Sequence, residues 1–190
     1  DLAGAIDVTM GDKTAINGKL SSQRLDLTPF AADSEEADKE EKPASKAEEG
    51  KSQSKYVFVE EPLPFEALNT TDIDFDTDIG RLTLDKIVLL DVATAVDLKG
   101  GDLHFKNRFA GPEGGSSASD IALTSAGESA ELDVNVNMRD LRLNLLSGDI
   151  KDPSLVPPIG ITLDFKSTGG TPRALASSAN GRILVTQGEG

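Results

Sequence analysis

Asp72-Ile-Asp-Phe-Asp-Thr-Asp-Ile79 decides the fold of this chain. Ile73, Phe75 and Ile79 alternate with Asp72, Asp74, Asp76 and Asp78, so one side of the segment is greasy and the other is carboxylate. A period of two puts successive side chains on opposite faces of a strand. The alternation continues through Leu82 and Leu84, then Val92, Val96 and Leu98, then Leu103 and Phe105. Strands of this kind build a sheet with one dry and one wet face. Few segments read as helical, so the dry face needs another cover. A partner sheet and a bound lipid would both suffice.

Working outward, strands are predicted at roughly 71–79, 81–90, 92–99, 102–107, 117–125, 129–138, 140–146 and 159–167. Gly80, Gly100-Gly101, Gly114-Gly115 and Gly127 mark breaks between several of them. Gly169-Gly170-Thr171-Pro172 reads as a turn into a short helix over Arg173 to Ser178, with Thr171 as N-cap and Pro172 at the first helical position. Gly181 to Thr186 is a last strand. Regular strands with little helix predict a mainly β fold, a curled antiparallel meander forming an open groove or a partly closed sandwich, with one or two short helices.

Upstream, residues 1–30 read as a β-hairpin and an extended arm: Leu2, Ile6, Val8 and Met10 share a face, Gly11-Asp12 turns, and Leu25 and Leu27 precede Pro29. Residues 31–55 mix eight acidic and five basic residues with Ala, Ser and Gly, and contain no Leu, Ile, Val or aromatic residue. Such a segment cannot offset its ordering entropy and is expected to be a disordered acidic insert. Residues 56–190 then form the antiparallel β domain, beginning with a short strand at Tyr56 to Val59 and a helical turn opened by Pro64. The chain opens at Asp1 and stops just past a strand-like run, so it reads as a fragment of a longer protein.

The 190 residues suffice for a sizeable core, but only 37% are apolar and 4% aromatic, so Leu, Ile and Val must supply the burial. Cys is absent, which excludes disulfides and thiolate metal sites. A net charge of −14 argues against a nucleic-acid surface and against simple docking onto anionic headgroups. No run approaches the about 18 apolar residues of a membrane-spanning helix.

The acidic ladder invites comparison with a calcium loop, in which Asp74, Asp76 and Asp78 would take the first, third and fifth ligand positions and Asp85 the last. That loop demands Gly where Ile79 stands, Glu rather than Asp at its end, and flanking helices. The ladder is better read as the solvated face of a strand. Ser52-Gln-Ser-Lys55 matches S-x-x-K but lies in the polar insert without its catalytic partners. His104 sits opposite Leu103 and Phe105 with no nucleophile or orienting group assignable. We assign no catalytic residue, no metal ligand and no cofactor, and expect a non-enzymatic protein.

Several phrases carry a family resemblance. Leu20-Ser-Ser-Gln-Arg-Leu-Asp-Leu-Thr-Pro-Phe30 followed by an acidic insert, Pro62-Leu-Pro-Phe-Glu-Ala-Leu68 ahead of Asp72-Ile-Asp-Phe-Asp76, Gly101-Asp-Leu-His-Phe105, Thr168-Gly-Gly-Thr-Pro-Arg173, and Asn180-Gly181 running to Gly190 stand in a characteristic order. Together they resemble the C-terminal region of the AsmA family of bacterial envelope proteins. The resemblance implies a periplasmic protein attached to the inner membrane through a segment not present here. It also implies a curled β-sheet whose apolar groove conducts phospholipid toward the outer membrane, and it brings no catalytic residue.

Candidate groove residues are Ile73, Phe75, Leu82, Leu84, Leu132, Val134, Val136, Ile161, Leu163 and Phe165, chosen because they hold the apolar phase. Two function classes follow. In the first, the segment contributes an apolar groove for phospholipid transport and outer-membrane assembly. In the second, a closed β-sandwich scaffold recognises an envelope protein partner through an edge strand or the acidic insert.

Overall fold

Alternating sequence becomes one long ribbon of strands in the computed structural model, which describes residues 1–29, 61–63, 65–85, 87–142 and 157–188. In chain order the elements are β1 (Leu2–Thr9), β2 (Thr14–Ser22), β3 (Leu25–Asp26), α1 (Phe65–Leu68), β4 (Thr71–Leu84), β5 (Ile87–Lys99), β6 (Asp102–Ala110), β7 (Ser116–Ala126), β8 (Ser129–Leu141), β9 (Ile159–Gly169), α2 (Pro172–Ser178) and β10 (Asn180–Gln187). They form a single ten-stranded sheet in the order β1-β2-β4-β5-β6-β7-β8-β9-β10, with β3 beside β4. Among the described residues, extensive contact joins each strand only to its neighbours, and no second sheet lies over the first.

The predicted mainly β meander is what the chain forms from β4 to β10, where every pairing is antiparallel. The sheet is nevertheless mixed. β2 and β3 run parallel to β4, Thr14↔Thr71 to Ser22↔Ile79 and then Leu25↔Leu82. Parallel neighbours need a crossover of a dozen or more residues, and the long connection from β3 to β4 supplies that length.

One boundary moves for a definable reason. Gly80 was expected to separate two strands, yet β4 runs through it and turns after Leu84, where Asp85 adopts a left-handed φ of 54°. The expected strand 81–90 is thus the end of β4 and the start of β5 folded into a hairpin, with Leu84 opposite Ile87. Asp tolerates this left-handed conformation better than most residues, so Asp85 served the turn that glycine was expected to mark. The segment expected as strand 140–146 falls largely outside the described residues, as do the strand at Tyr56 to Val59 and the insert 31–55.

Two bulges bend the ribbon at the same end. Asp91 has φ 50° where the β5–β6 register shifts between Leu90 and Ala93, and Asp140 has φ 52° where the β8–β9 register shifts between Met138 and Leu141. An extra residue on one strand kinks it and increases its local twist.

At the opposite end the two helices pack on the sheet. α2 begins as the sequence predicts: the Ala174 N–H donates to Thr171 Oγ1 at 3.0 Å, with Pro172 inside the first turn. It is clipped to β9 by Ser167 Oγ, which donates to the Leu175 carbonyl, and by Ser178 Oγ, which accepts from the Thr168 N–H at 2.8 Å. α1 belongs to a strap that starts where the Leu63 N–H meets the Gly170 carbonyl after β9 and ends where Thr70 receives the Thr14 N–H of β2. Between them Asn69 Oδ1 and Ser125 Oγ crowd Gly101, whose φ of 91° and missing Cβ make the approach possible. So short a strap reaches both sides of the sheet because the sheet curls toward it.

Candidate functional site

Pairing register sorts the apolar side chains into transverse rows. In the first, Val8, Ile16, Ile73, Leu98, Leu103, Leu123 and Leu132 stand opposite one another from β1 to β8, and Ser167 closes the row on β9. The second reads Ile6, Gly18, Phe75, Val96, Phe105, Ile121, Val134, Phe165 and Gly181 across nine strands. Its two glycines lie beside phenylalanines. A Cβ on Gly18 would stand 2.6 Å from the Phe75 ring, and one on Gly181 would stand 2.5 Å from Phe165 Cβ. At Gly18 the ring thus fills the space that a neighbouring side chain would otherwise occupy.

The third row is Leu20, Thr77, Thr94, Asn107, Ser119, Val136, Leu163 and Ile183. A fourth holds Ile79 and Val92, then Phe109, Ser117, Met138, Ile161 and Val185. No charged side chain stands in any of these rows.

Burial along this face is uneven. Beneath the helices Phe65, Leu98, Ala130 and Ser167 are buried, and away from them so are Val134, Ile79, Val92, Ser117 and Leu141, whereas Phe75, Val96, Phe105, Ile121, Val136 and Phe165 remain half-buried. Among the described residues no large side chain is completely shut off from solvent. The face is therefore stoppered by helices at one end, while most of the second row stays partly exposed.

The alternating residues make the opposite face a charged lattice. Lys106 faces Asp120 directly across β6–β7 at 3.4 Å, and Lys166 faces Asp133 across β8–β9 at 2.7 Å. Asp74 and Asp97 stand directly opposite each other, and Lys99 bridges both carboxylates. Ion pairing to Asp97 raises Lys99 above the ordinary lysine value, and pairing to Asp133 raises Lys166. Asp72 is held below the ordinary carboxylate value by the Lys13 ammonium and by the Gly100 N–H, which donates at 3.1 Å. These pairs are exposed, so their net worth is small and they act chiefly to fix register.

A cleft of about 650 Å³ crosses the sheet from β4 to β9 at the level of the third row. Thr77, Thr94, Asn107, Ser119, Val136 and Leu163 line it together with the residues on either side of each, and none of the second-row apolar side chains does. The four aspartates of the β4 ladder lie along the strand beside Lys13, Lys99 and the cleft; among the described residues no group of His, Asp or Glu is arranged to hold a metal ion. His104 is exposed on the same face opposite Asp97. No helix among the described residues is long and apolar enough to cross a membrane.

A family model, that of the AsmA family, matches residues 5–189 of this sequence. The chain belongs to the AsmA family. Neither curated proteins nor solved structures yielded a match. AsmA proteins are associated with the bacterial envelope and are not known as enzymes.

Of the predicted groove residues in this AsmA chain, Ile73 and Leu132 fall in the first row, Phe75, Val134 and Phe165 in the second, Val136 and Leu163 in the third, and Ile161 in the fourth. Leu82 and Leu84 do not continue these rows. They lie past the Asp91 irregularity, paired with Leu89 and Ile87 and half-buried there. Sequence reasoning left out Val96, Phe105 and Ile121, the centre of the second row, although their alternation is as regular. What it lacked was register, which joins those strands to β4 and β8.

Proposed function

We propose that this chain is a non-enzymatic segment of a periplasmic AsmA-like protein anchored in the inner membrane, and that its apolar face is a groove for phospholipid acyl chains in outer-membrane assembly. The observation that carries this reading is the second row, apolar over nearly its whole length and covered by no other layer among the described residues. Each methylene moved from water onto such a surface contributes up to about 0.8 kcal/mol when fully buried. The charged lattice on the other face keeps the sheet soluble without a covering partner.

The test is photo-crosslinking in cells, with a photoreactive residue at Leu132, Val134 or Val136 and, for comparison, at Asp133 or Asn135. Phospholipid adducts confined to the first set support the groove. Adducts at neither set overturn it.

A second reading has its own support. β1 and β10 are exposed along their whole length, with Leu2, Ile6, Val8, Ile183 and Val185 more than half uncovered. Unpaired edges of this kind accept a further strand. In this reading an envelope protein partner adds a strand to either edge. A closed sandwich is not the form it takes, since the described strands make one sheet.

A further inference from the structure

The third row interrupts the apolar face with neutral polar groups. Thr77, Thr94, Asn107 and Ser119 stand opposite one another on four consecutive strands, flanked by Leu20 and Val136. Asn107 Nδ2 donates to Thr94 Oγ1 at 2.8 Å, which leaves Asn107 Oδ1 and the Thr94 hydroxyl proton without a partner among the described residues. Among the described residues the hydroxyls of Thr77 and Ser119 meet no hydrogen-bond partner. All four side chains are half-buried.

An occupant made only of hydrocarbon would strip water from these groups and replace it with nothing, which is costly. An occupant carrying hydrogen-bond acceptors at this level would not. The row itself is uncharged, and Lys106 and Arg108 on either side of Asn107 alternate to the opposite face, so no Arg or Lys stands in the row to favour a phosphate. It lies about 6.6 Å along the strands from the second row, two residues further on. Neutral acceptors immediately beyond the acyl chains describe the ester linkages of a glycerolipid.

Resting on the groove reading, we infer that Thr77, Thr94, Asn107 and Ser119 form a subsite for the ester carbonyls of a diacyl glycerolipid whose chains lie along the first and second rows. The hydroxyl and amide protons donate and the carbonyls accept. The same band makes the groove discriminate against ether-linked lipids, which lack those acceptors.

The experiment displaces the apolar fluorophore N-phenyl-1-naphthylamine from the purified chain with dioctanoyl phosphatidylethanolamine and, separately, with its dioctyl ether analogue. The wild-type chain is expected to prefer the diester about ten-fold, equivalent to about 1.4 kcal/mol. The pair Thr94→Val with Asn107→Leu abolishes that preference while retaining the fluorophore, and Ser119→Ala, which changes little volume, reduces it part-way. Far-UV circular dichroism checks that each variant keeps its sheet. Equal affinity of the wild-type chain for both lipids overturns the ester subsite and leaves the groove standing. Fluorophore and lipids all failing to bind overturns the groove, and the subsite with it. The wild-type comparison decides even if a variant fails to fold.

Discussion

Replacing Phe65 by Ala tests how the stoppered end of the sheet is built. Phe65 is only 5% exposed and sits on a four-residue helical turn far too short to persist alone. Its ring is worth about 3 kcal/mol of burial. The Leu63 N–H to the Gly170 carbonyl and the Thr14 N–H to the Thr70 carbonyl add about 1 kcal/mol each. In a closed core, Phe→Ala costs about 3 to 5 kcal/mol because a cavity is left behind. Here the strap is held by little else, so it detaches instead of enclosing a void: the ring and both hydrogen bonds are lost, and part of that loss returns as the freed strap regains its chain entropy. The expected loss in denaturant-derived stability is therefore about 2 to 3 kcal/mol. Amide exchange should rise at Leu63, Phe65 and Thr14 while the β6–β7 amides stay protected. N-phenyl-1-naphthylamine should bind at least as well, since Leu98, Leu103 and Leu132 become more accessible. A loss above about 5 kcal/mol spread over the whole sheet, or unchanged exchange at Leu63, would refute the reasoning.

Further outcomes follow from the same geometry. Val134→Asp puts a charge into the second row at a buried position and should cost about 3 kcal/mol or more, while Asn135→Ser, one residue on and exposed, should stay within about 0.5 kcal/mol, both read from urea midpoints. Gly181→Ala would place a Cβ 2.1 Å from the Asp164 carbonyl oxygen, so β10 should come away from β9 and become the first site of limited proteolysis. Asp72 has a folded pKa below its ordinary value of 3.8, so its ion pair with Lys13 stabilises the fold above that value and is lost as pH falls through the depressed one. Amide exchange at Thr14 should rise over that acid range in the wild type, and Asp72→Asn should remove the dependence.

The strand content was legible because a half-buried strand writes its two faces into alternate letters, as Asp72 to Ile79 does. α2 was equally legible, since Thr171 and Pro172 are chemical signals that act locally. Register and direction were not. Nothing in Thr14 to Ser22 tells that it pairs parallel to β4, because alternation reads the same in both directions. Phase was lost at Gly80, where Leu82 and Leu84 were counted with Ile73 although the Asp91 irregularity intervenes. The polar band was invisible for a related reason. Thr77, Thr94, Asn107 and Ser119 are scattered over the sequence, and only the sheet aligns them.

A sheet whose strands touch little beyond their immediate neighbours behaves as a one-dimensional array. Its stability is approximately a sum of strand terms and nearest-neighbour couplings, as in repeat proteins. The position of a lesion along the array then matters more than its depth. Damage at β1 or β10 trims one end and leaves the remainder cooperative. Damage at β6 severs the array into halves, each with a fresh unpaired edge. The β4-to-β8 stretch can zip hairpin by hairpin from local contacts, whereas β2 must close a long loop to reach β4 and should join late. Folding of this chain should therefore spread outward from its middle, with the N-terminal hairpin as the last cooperative unit added.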